Sequence, residues 1–215
     1  MPVVRVSASQ ERETATGPVH GYVARRSATG TKTDTPIIET PQSISVVSAE
    51  EIEVRKATDI REAIGYTAGV ITTTAGGDTR TGDSFAVRGF SGYTTYRDGS
   101  KYQANSYDGR QEIYGLERVE VLKGAASILY GALMPGGILN TVSKRPTTEA
   151  LHEVNVEVGS FNRKQISGDF GGSLTEDGTW SYRLTGVARD SDTHIDYLKD
   201  NRTYIAPALL SLIHI

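Results

Sequence analysis

Residues 116–146 read LERVEVLKGAASILYGALMPGGILNTVSKRP, and this stretch decides the fold of the chain. Val119 and Val121 alternate with Arg118 and Glu120, and this period of two predicts a half-buried strand. Glycines then break the chain on both sides of one short helical turn, and the residues after the last glycine predict a second strand. The stretch therefore predicts a compact α/β unit.

No catalytic motif explains these glycines. A phosphate-binding turn needs Lys and Ser or Thr after the glycines, or three glycines at the dinucleotide spacing where a helix begins. Here Gly137 is followed by Ile138 and Leu139. The candidate acid and base residues are interpreted as helix-cap, strand and loop residues: Glu50, Glu51, Glu117, Glu120 and Asp98. The protein is therefore not expected to be an enzyme.

The composition excludes several other classes of protein. The 215 residues carry a formal net charge of -3 and are 37% hydrophobic, which does not favour a nucleic-acid partner. No apolar run approaches the roughly 20 residues of a membrane-spanning helix. The chain has no cysteine, and its four histidines are widely dispersed, so neither a protein-ligated metal nor another cofactor is predicted.

The motifs within residues 116–146 resemble the end of the plug domain in TonB-dependent outer-membrane siderophore receptors. In that family Glu-Arg-x-Glu-x-x-(Lys/Arg)-Gly, Leu-Tyr-Gly, Pro-Gly-Gly and Asn-x-Val-(Ser/Thr)-Lys-Arg-Pro occur in this order. Here the four motifs lie at 117–124, 129–131, 135–137 and 140–146. Ala125 departs from the pattern, because many members carry proline there. The resemblance covers about residues 35–210 and is strongest to receptors for ferric hydroxamates such as ferrichrome.

The resemblance implies an α+β plug domain, with a small mixed sheet and short helices, at residues 34–146. The first antiparallel strands of a transmembrane β-barrel, truncated, are expected at 151–210. Residues 1–33 are rich in Ser, Thr, Ala, Arg and Gly and are expected to form a flexible tail. Residues 211–215 are expected to be a truncation artefact, with a buried edge strand as the alternative. No signal peptide is evident at Met1, so export is inferred from the resemblance.

From residue 151 onward, apolar and polar residues alternate in four predicted strands. In the first, Val154, Val156 and Val158 alternate with polar residues, as in a barrel wall between lipid and a polar lumen. A soluble antiparallel sheet predicts the same pattern, so a soluble β-rich binding or adhesin module is the alternative. Barrels of this family have about 22 strands, and four cannot close a wall, so residues 1–215 alone are not expected to transport.

A ligand site is predicted in the tyrosine-rich region, since five of the eleven tyrosines lie between residues 93 and 114. Tyrosines on polar loops suit recognition of a polar organic ligand, although they also pack irregular loops. The resemblance implies that Arg88, Gln103 and Tyr114 contact the ligand from the plug apex, with Tyr102 and Tyr107 as further candidates. These side chains donate hydrogen bonds, and hydroxamate oxygens accept them. By spacing alone, Arg88 also fits a solvated residue near a turn.

Five residues near the amino terminus, Val3, Val4, Arg5, Val6 and Ser7, are predicted to pair with another protein. β-Branched residues in a tail can add a strand to the edge of a partner's sheet. The resemblance implies a TonB box, whose partner is TonB with its inner-membrane energising complex. The implied protein lies in the outer membrane, contacts its lipid, binds a ferric siderophore outside and releases it inward, with plug and tail facing the periplasm.

Overall fold

The computed structural model describes residues 13–72, 83–92, 94–103, 107, 109–131 and 135–212. The TonB-box candidates Val3, Val4, Arg5, Val6 and Ser7 lie outside these ranges. Within the described residues, no helix is both long and apolar enough to cross a bilayer.

The secondary structure of the described residues consists mainly of short strands, followed by four long ones. The strands are Arg26–Ser27 (β1), Thr35–Pro36 (β2), Ser43–Ser48 (β3), Val70–Ile71 (β4), Phe85–Val87 (β5), Phe90–Gly92 (β6), Thr95–Arg97 (β7), Ser100–Gln103 (β8), Leu116–Lys123 (β9), Gly137–Ser143 (β10), Leu151–Gly159 (β11), Arg163–Ser173 (β12), Trp180–Asp190 (β13) and Arg202–Ser211 (β14). The helices are Ala49–Val54 (α1), Ile60–Ile64 (α2) and Ser127–Tyr130 (α3), with 3-10 turns at Ile37–Glu39 and Ile113–Gly115.

A mixed five-stranded sheet, in the order β3-β9-β10-β7-β8, forms the centre of the plug. β9 pairs antiparallel with β3 and β10, and β7 runs parallel to β10. On one face of β9, Val119 and Val121 pack with Ile60 and Ile64 of α2 into the main apolar cluster. Full burial of each such side chain contributes roughly 1.5–3 kcal/mol. The unit predicted from residues 116–146 is therefore the core of this sheet.

The other face of β9 corrects the prediction of a half-buried strand. Arg118 and Glu120 are each 0% exposed, because residues 13–33, which we call the arm, pack over them. Ser27 and Thr29 of the arm are also buried. The expected flexible tail is therefore wrong for residues 13–33: their small polar side chains bond to buried groups of the sheet.

The last four strands form a separate antiparallel sheet, β11-β12-β13-β14, which we call the wall. Its bounds agree with the four predicted strands, and the pairing continues to Ser211, where residues 211–215 were expected to be an artefact. The backbone N–H of Leu212 also donates to the carbonyl of Thr179. Residues 213–215 lie outside the described ranges.

The wall buries its polar face and exposes its apolar face. Val156 and Val158 are 74% and 83% exposed, whereas Asp169 and Thr185 are 1% and 2% exposed. The remaining exposed apolar residues of the wall include Val154, Ile166, Leu184, Ile205 and Leu209. A soluble sheet buries its apolar face, so this arrangement argues against the soluble alternative and fits a wall with lipid outside and a polar interior.

Candidate functional site

The plug and the wall meet through buried charged groups. Asp169, on β12, accepts hydrogen bonds from Nε and Nη2 of Arg183 on β13, at 2.9 and 2.8 Å. Lys144, just after the last plug strand, donates to the same carboxylate at 2.7 Å, and the Thr185 hydroxyl donates at 3.2 Å. Arg183 also bonds to Glu117 of the plug at 3.2 Å. This cluster fixes the end of the plug sheet against the inner face of the wall.

A second cluster lies nearby on the same face. Arg189 of β13 donates through Nη2 to both carboxylate oxygens of Glu112, at 3.0 and 3.2 Å, and through Nε to Gln165 at 2.7 Å. Its Nη1 reaches Asp200 at 3.1 Å. Buried pairs of this kind set the placement of two surfaces more than they add stability. The plug is therefore positioned by charge complementarity.

A cavity of about 250 Å³ lies between α1, the 3-10 turn at Ile113–Gly115 and the wall. Lys56, Glu153, Glu157 and Arg163 are among its lining residues. The space between plug and wall is thus lined with charged groups that retain water more readily than an apolar interface does.

Tyr114 belongs to this plug–wall contact. Its hydroxyl donates to Oε1 of Glu153 on β11 at 3.2 Å, and the Lys144 ammonium lies 4.1 Å from its ring centroid. Burial, and then the Glu153 carboxylate, raise the pKa of Tyr114 above its ordinary value, so the phenol stays a donor. The side chain anchors the plug to the first wall strand.

Arg88 lies at the other end of the plug sheet. Its side chain is exposed, its φ is 51°, and its backbone N–H donates to the carbonyl of Gly69 at 2.8 Å. A methyl group added to Gly124 would lie 3.2 Å from Arg88 Nη1. Burial, and then the charge of Arg88, lower the pKa of Lys123. Two cationic side chains therefore lie together where β9 ends.

The structure does not bring Arg88 and Tyr114 together. They lie beyond opposite ends of the eight-residue strand β9, which separates them by roughly 23 Å at the usual strand rise. Gln103 is 0% exposed, and its Oε1 accepts from the Thr95 hydroxyl at 3.4 Å inside the plug. A common ligand surface for all three residues is thus not seen in the described part of the chain.

Tyr102 and Tyr107 of the predicted set are accessible, as Arg88 is. Tyr102, on β8, is 45% exposed and has the Arg97 guanidinium 6.0 Å from its ring centroid. Tyr107 is 85% exposed. Residues 93, 104–106 and 108, which belong to the same tyrosine-rich region, lie outside the described ranges. Ligand contact by these tyrosines stays a prediction.

Sequence reasoning missed the charged plug–wall clusters. Asp169, Arg183 and Arg189 fall on the polar side of alternating strands, and this position was available from the pattern. Glu117 and Glu112, the partners of Arg183 and Arg189, lie more than 50 residues earlier, and no spacing rule links them. The signal that could have indicated these clusters is the high density of charged residues on the polar face of the wall strands, which is more than contact with solvent alone requires.

The α+β domain docks its charged edge on the polar face of the wall, and the other face of the wall exposes apolar residues. This arrangement defines a class of protein: a plugged membrane barrel, here with its plug and first wall strands. Residues 36–138 match the family model described as TonB-dependent Receptor Plug Domain. Residues 36–138 are thus a plug domain of the TonB-dependent receptor family.

Similar proteins include two curated receptors. The chain is 46% identical to the ferrichrome outer membrane transporter/phage receptor of Escherichia coli K12, over 94% of this chain and 28% of that protein. It is 38% identical to the ferrioxamine receptor of Yersinia enterocolitica, over 90% of this chain and 28% of that protein. The chain thus spans about a quarter of the length of these relatives.

A solved structure shows the same fold. The ferripyoverdine receptor of the Pseudomonas aeruginosa outer membrane, bound to ferripyoverdine, superposes with a TM-score of 0.79 at 27% identity. The match covers 92% of this chain and 26% of that one. The expected fold class, a plug followed by barrel strands, is confirmed.

Proposed function

We propose that this chain is the plug and first wall strands of an outer-membrane receptor that takes up a ferric siderophore. One observation carries the proposal: the wall exposes valine, isoleucine and leucine and buries charged residues against the plug. A sheet with lipid on one side and a polar interior on the other is stable in this arrangement. The receptors named above support the siderophore as the ligand.

The proposed ligand is a ferric hydroxamate, which carries its own iron ligands. The protein then supplies only hydrogen-bond donors and aromatic surfaces. Arg88, Tyr102 and Tyr107 are exposed and suit this role. Gln103 becomes available only if its buried amide is uncovered, and Tyr114, bonded to the wall, is left out of the proposed site. The protein's residues provide no covalent chemistry in this account.

The proposed energy source is TonB, through the segment Val3, Val4, Arg5, Val6 and Ser7. This segment precedes the arm, so a pull on it reaches the plug through the arm. The TonB-dependent family supports this partner. The implied location is the outer membrane, with the plug and tail on the periplasmic side.

The test is uptake of radioactive iron by cells that lack their own hydroxamate receptors and express the complete receptor containing this chain. We expect uptake from a ferric hydroxamate, little uptake from a ferric catecholate, and no uptake in a TonB-deficient strain. Equal accumulation with and without TonB, or no uptake of any ferric siderophore, would contradict the proposal. Expression of residues 1–215 alone is the matched control and is expected to give no uptake.

A further inference from the structure

Arg118, in the Glu-Arg-x-Glu motif, binds backbone of the arm. Its Nη2 donates to the carbonyls of Thr14 and Gly17, at 2.6 and 2.9 Å, and its Nη1 donates to that of Arg26 at 3.0 Å. These three acceptors lie 92 to 104 residues earlier in the chain. The two terminal nitrogens of a fully buried guanidinium thus bond to main-chain carbonyls of one segment, whereas its Nε makes no hydrogen bond.

Glu120, two residues further along β9, binds side chains of the same segment. One carboxylate oxygen accepts from the Ser27 hydroxyl at 2.7 Å and from the Thr29 hydroxyl. Asn140 of the neighbouring strand donates to the Thr29 oxygen at 2.8 Å. Burial raises the pKa of Glu120, partly offset by the two hydroxyls and by Arg118. The Arg118 Nε lies 3.7 Å from Glu120, beyond hydrogen-bond length, so the arm satisfies both groups better than they satisfy each other.

The far end of the arm has its own contacts. The Tyr130 hydroxyl donates to the carbonyl of Thr29 at 2.9 Å. The Lys32 ammonium lies 3.6 Å from the Tyr130 ring centroid and donates to the carbonyl of Gly99, in the turn between β7 and β8, at 2.8 Å. The arm is therefore held along its length, from Thr14 to Lys32, by side chains rather than by a shared sheet.

The sheet beneath the arm does not need the arm for its own backbone hydrogen bonds. β9 pairs along its length with β3 and β10, and its apolar side packs on α2. The arm's one strand pairing, β1 with β2, links residues 26–27 to residues 35–36 outside this sheet. The arm can detach without breaking the ladder, but its departure leaves Arg118 and Glu120 to be solvated.

We propose that Arg118 and Glu120 of the Glu-Arg-x-Glu motif form a latch that holds residues 14–32 over β9. The arm leaves the plug as one unit when the latch opens, while β3, β9 and β10 stay paired. The motif thus serves to hold a detachable segment, a role distinct from ligand binding. Its place in uptake rests on the proposed function, because the arm joins the TonB-box candidate to the plug.

Amide hydrogen exchange on the complete receptor in micelles tests the latch. Thr29→Val keeps the shape of the side chain and removes the hydroxyl shared by Glu120 and Asn140. We expect exchange of residues 14–32 to accelerate about tenfold, with residues 116–123 and 137–143 unchanged. Thr31→Val is the matched control, since the Thr31 hydroxyl bonds to Thr33 and Thr35 and not to β9.

A second variant, Glu120→Gln, changes the other side of the same contact, so that a purely local effect at Thr29 can be recognised. It is expected to accelerate amide exchange of the same residues. The latch is refuted if Thr29→Val and Thr31→Val exchange alike, or if β9 and β10 lose protection together with the arm. The measurement uses neither siderophore nor TonB. Its outcome is therefore separate from that of the uptake test, and either proposal can fail alone.

Discussion

Replacing Asp169 by asparagine removes the charge at the centre of the plug–wall contact. The carboxylate accepts from Arg183, Lys144 and Thr185 and is 1% exposed. Loss of one partner of a buried ion pair costs about 3–5 kcal/mol, because the remaining charge is left unpaired. Arg183 keeps Glu117, and Lys144 is partly exposed, so the lower end, about 3 kcal/mol, applies here. The population with the plug detached from the wall then rises roughly a hundredfold.

The assay is a urea titration of the complete receptor in micelles, followed by amide exchange of residues 116–123. The midpoint for Asp169→Asn is expected to fall clearly below that of the unchanged receptor. Asp177→Asn, in the exposed turn between β12 and β13, makes the same chemical change away from the plug and is expected to leave the midpoint in place. Equal midpoints for the two variants would mean that the Asp169 charge does not hold the plug against the wall.

Three further predictions concern the plug. In Gly136→Ala the new methyl group overlaps a backbone carbonyl of β5, so we expect the free energy of unfolding in urea to fall by about 2 kcal/mol. Gly92→Ala is the control, because no described atom lies within 4 Å of the added methyl group. Burial raises the pKa of Asp83 from 3.8 to about 6, so the folded plug holds this proton more tightly than the unfolded chain does. As pH rises from about 4 to 6, the free energy of unfolding of the plug therefore falls by up to about 3 kcal/mol. Asp83→Asn should remove this pH dependence and make the receptor more stable at pH 7. Urea midpoints of the unsubstituted receptor that stay the same from pH 4 to 7 would contradict this prediction. Arg88→Gln should weaken the binding of a ferric hydroxamate, measured by titration calorimetry, about tenfold or more. Tyr114→Phe should leave the affinity unchanged, and equal effects of the two substitutions would contradict the separation of these residues.

The sequence was sufficient to predict the elements with strong local patterns. β9, α3 and β10 follow from alternation and glycine breaks within residues 116–146, and the wall strands follow from a period of two. These patterns are local, so one chain segment contains all the information. The orientation of the wall was left open, because alternation is the same for a soluble sheet and a membrane sheet; only the burial of Asp169 beside exposed Val156 distinguishes them.

The arm and the candidate site depended on contacts distant in sequence. Nothing near Ser27 or Thr29 indicates that Glu120 will accept their hydroxyls, so a polar, glycine-containing segment was expected to be mobile. Tyr114 was grouped with Arg88 by resemblance, but its position before β9 places it at the opposite end of the sheet, against Glu153. Long-range polar contacts of this kind have no periodicity.

The accessibility of β11 in a bilayer shows directly which face of the wall contacts lipid. Nitroxide labels placed one at a time at residues 153–158 of the complete receptor are examined by electron paramagnetic resonance for collision with oxygen, which concentrates in lipid, and with a water-soluble nickel complex. We expect a period of two, with residues 154, 156 and 158 reached by oxygen and residues 153, 155 and 157 shielded from it. Valine positions reached by the nickel complex in preference to oxygen would contradict a lipid-facing wall.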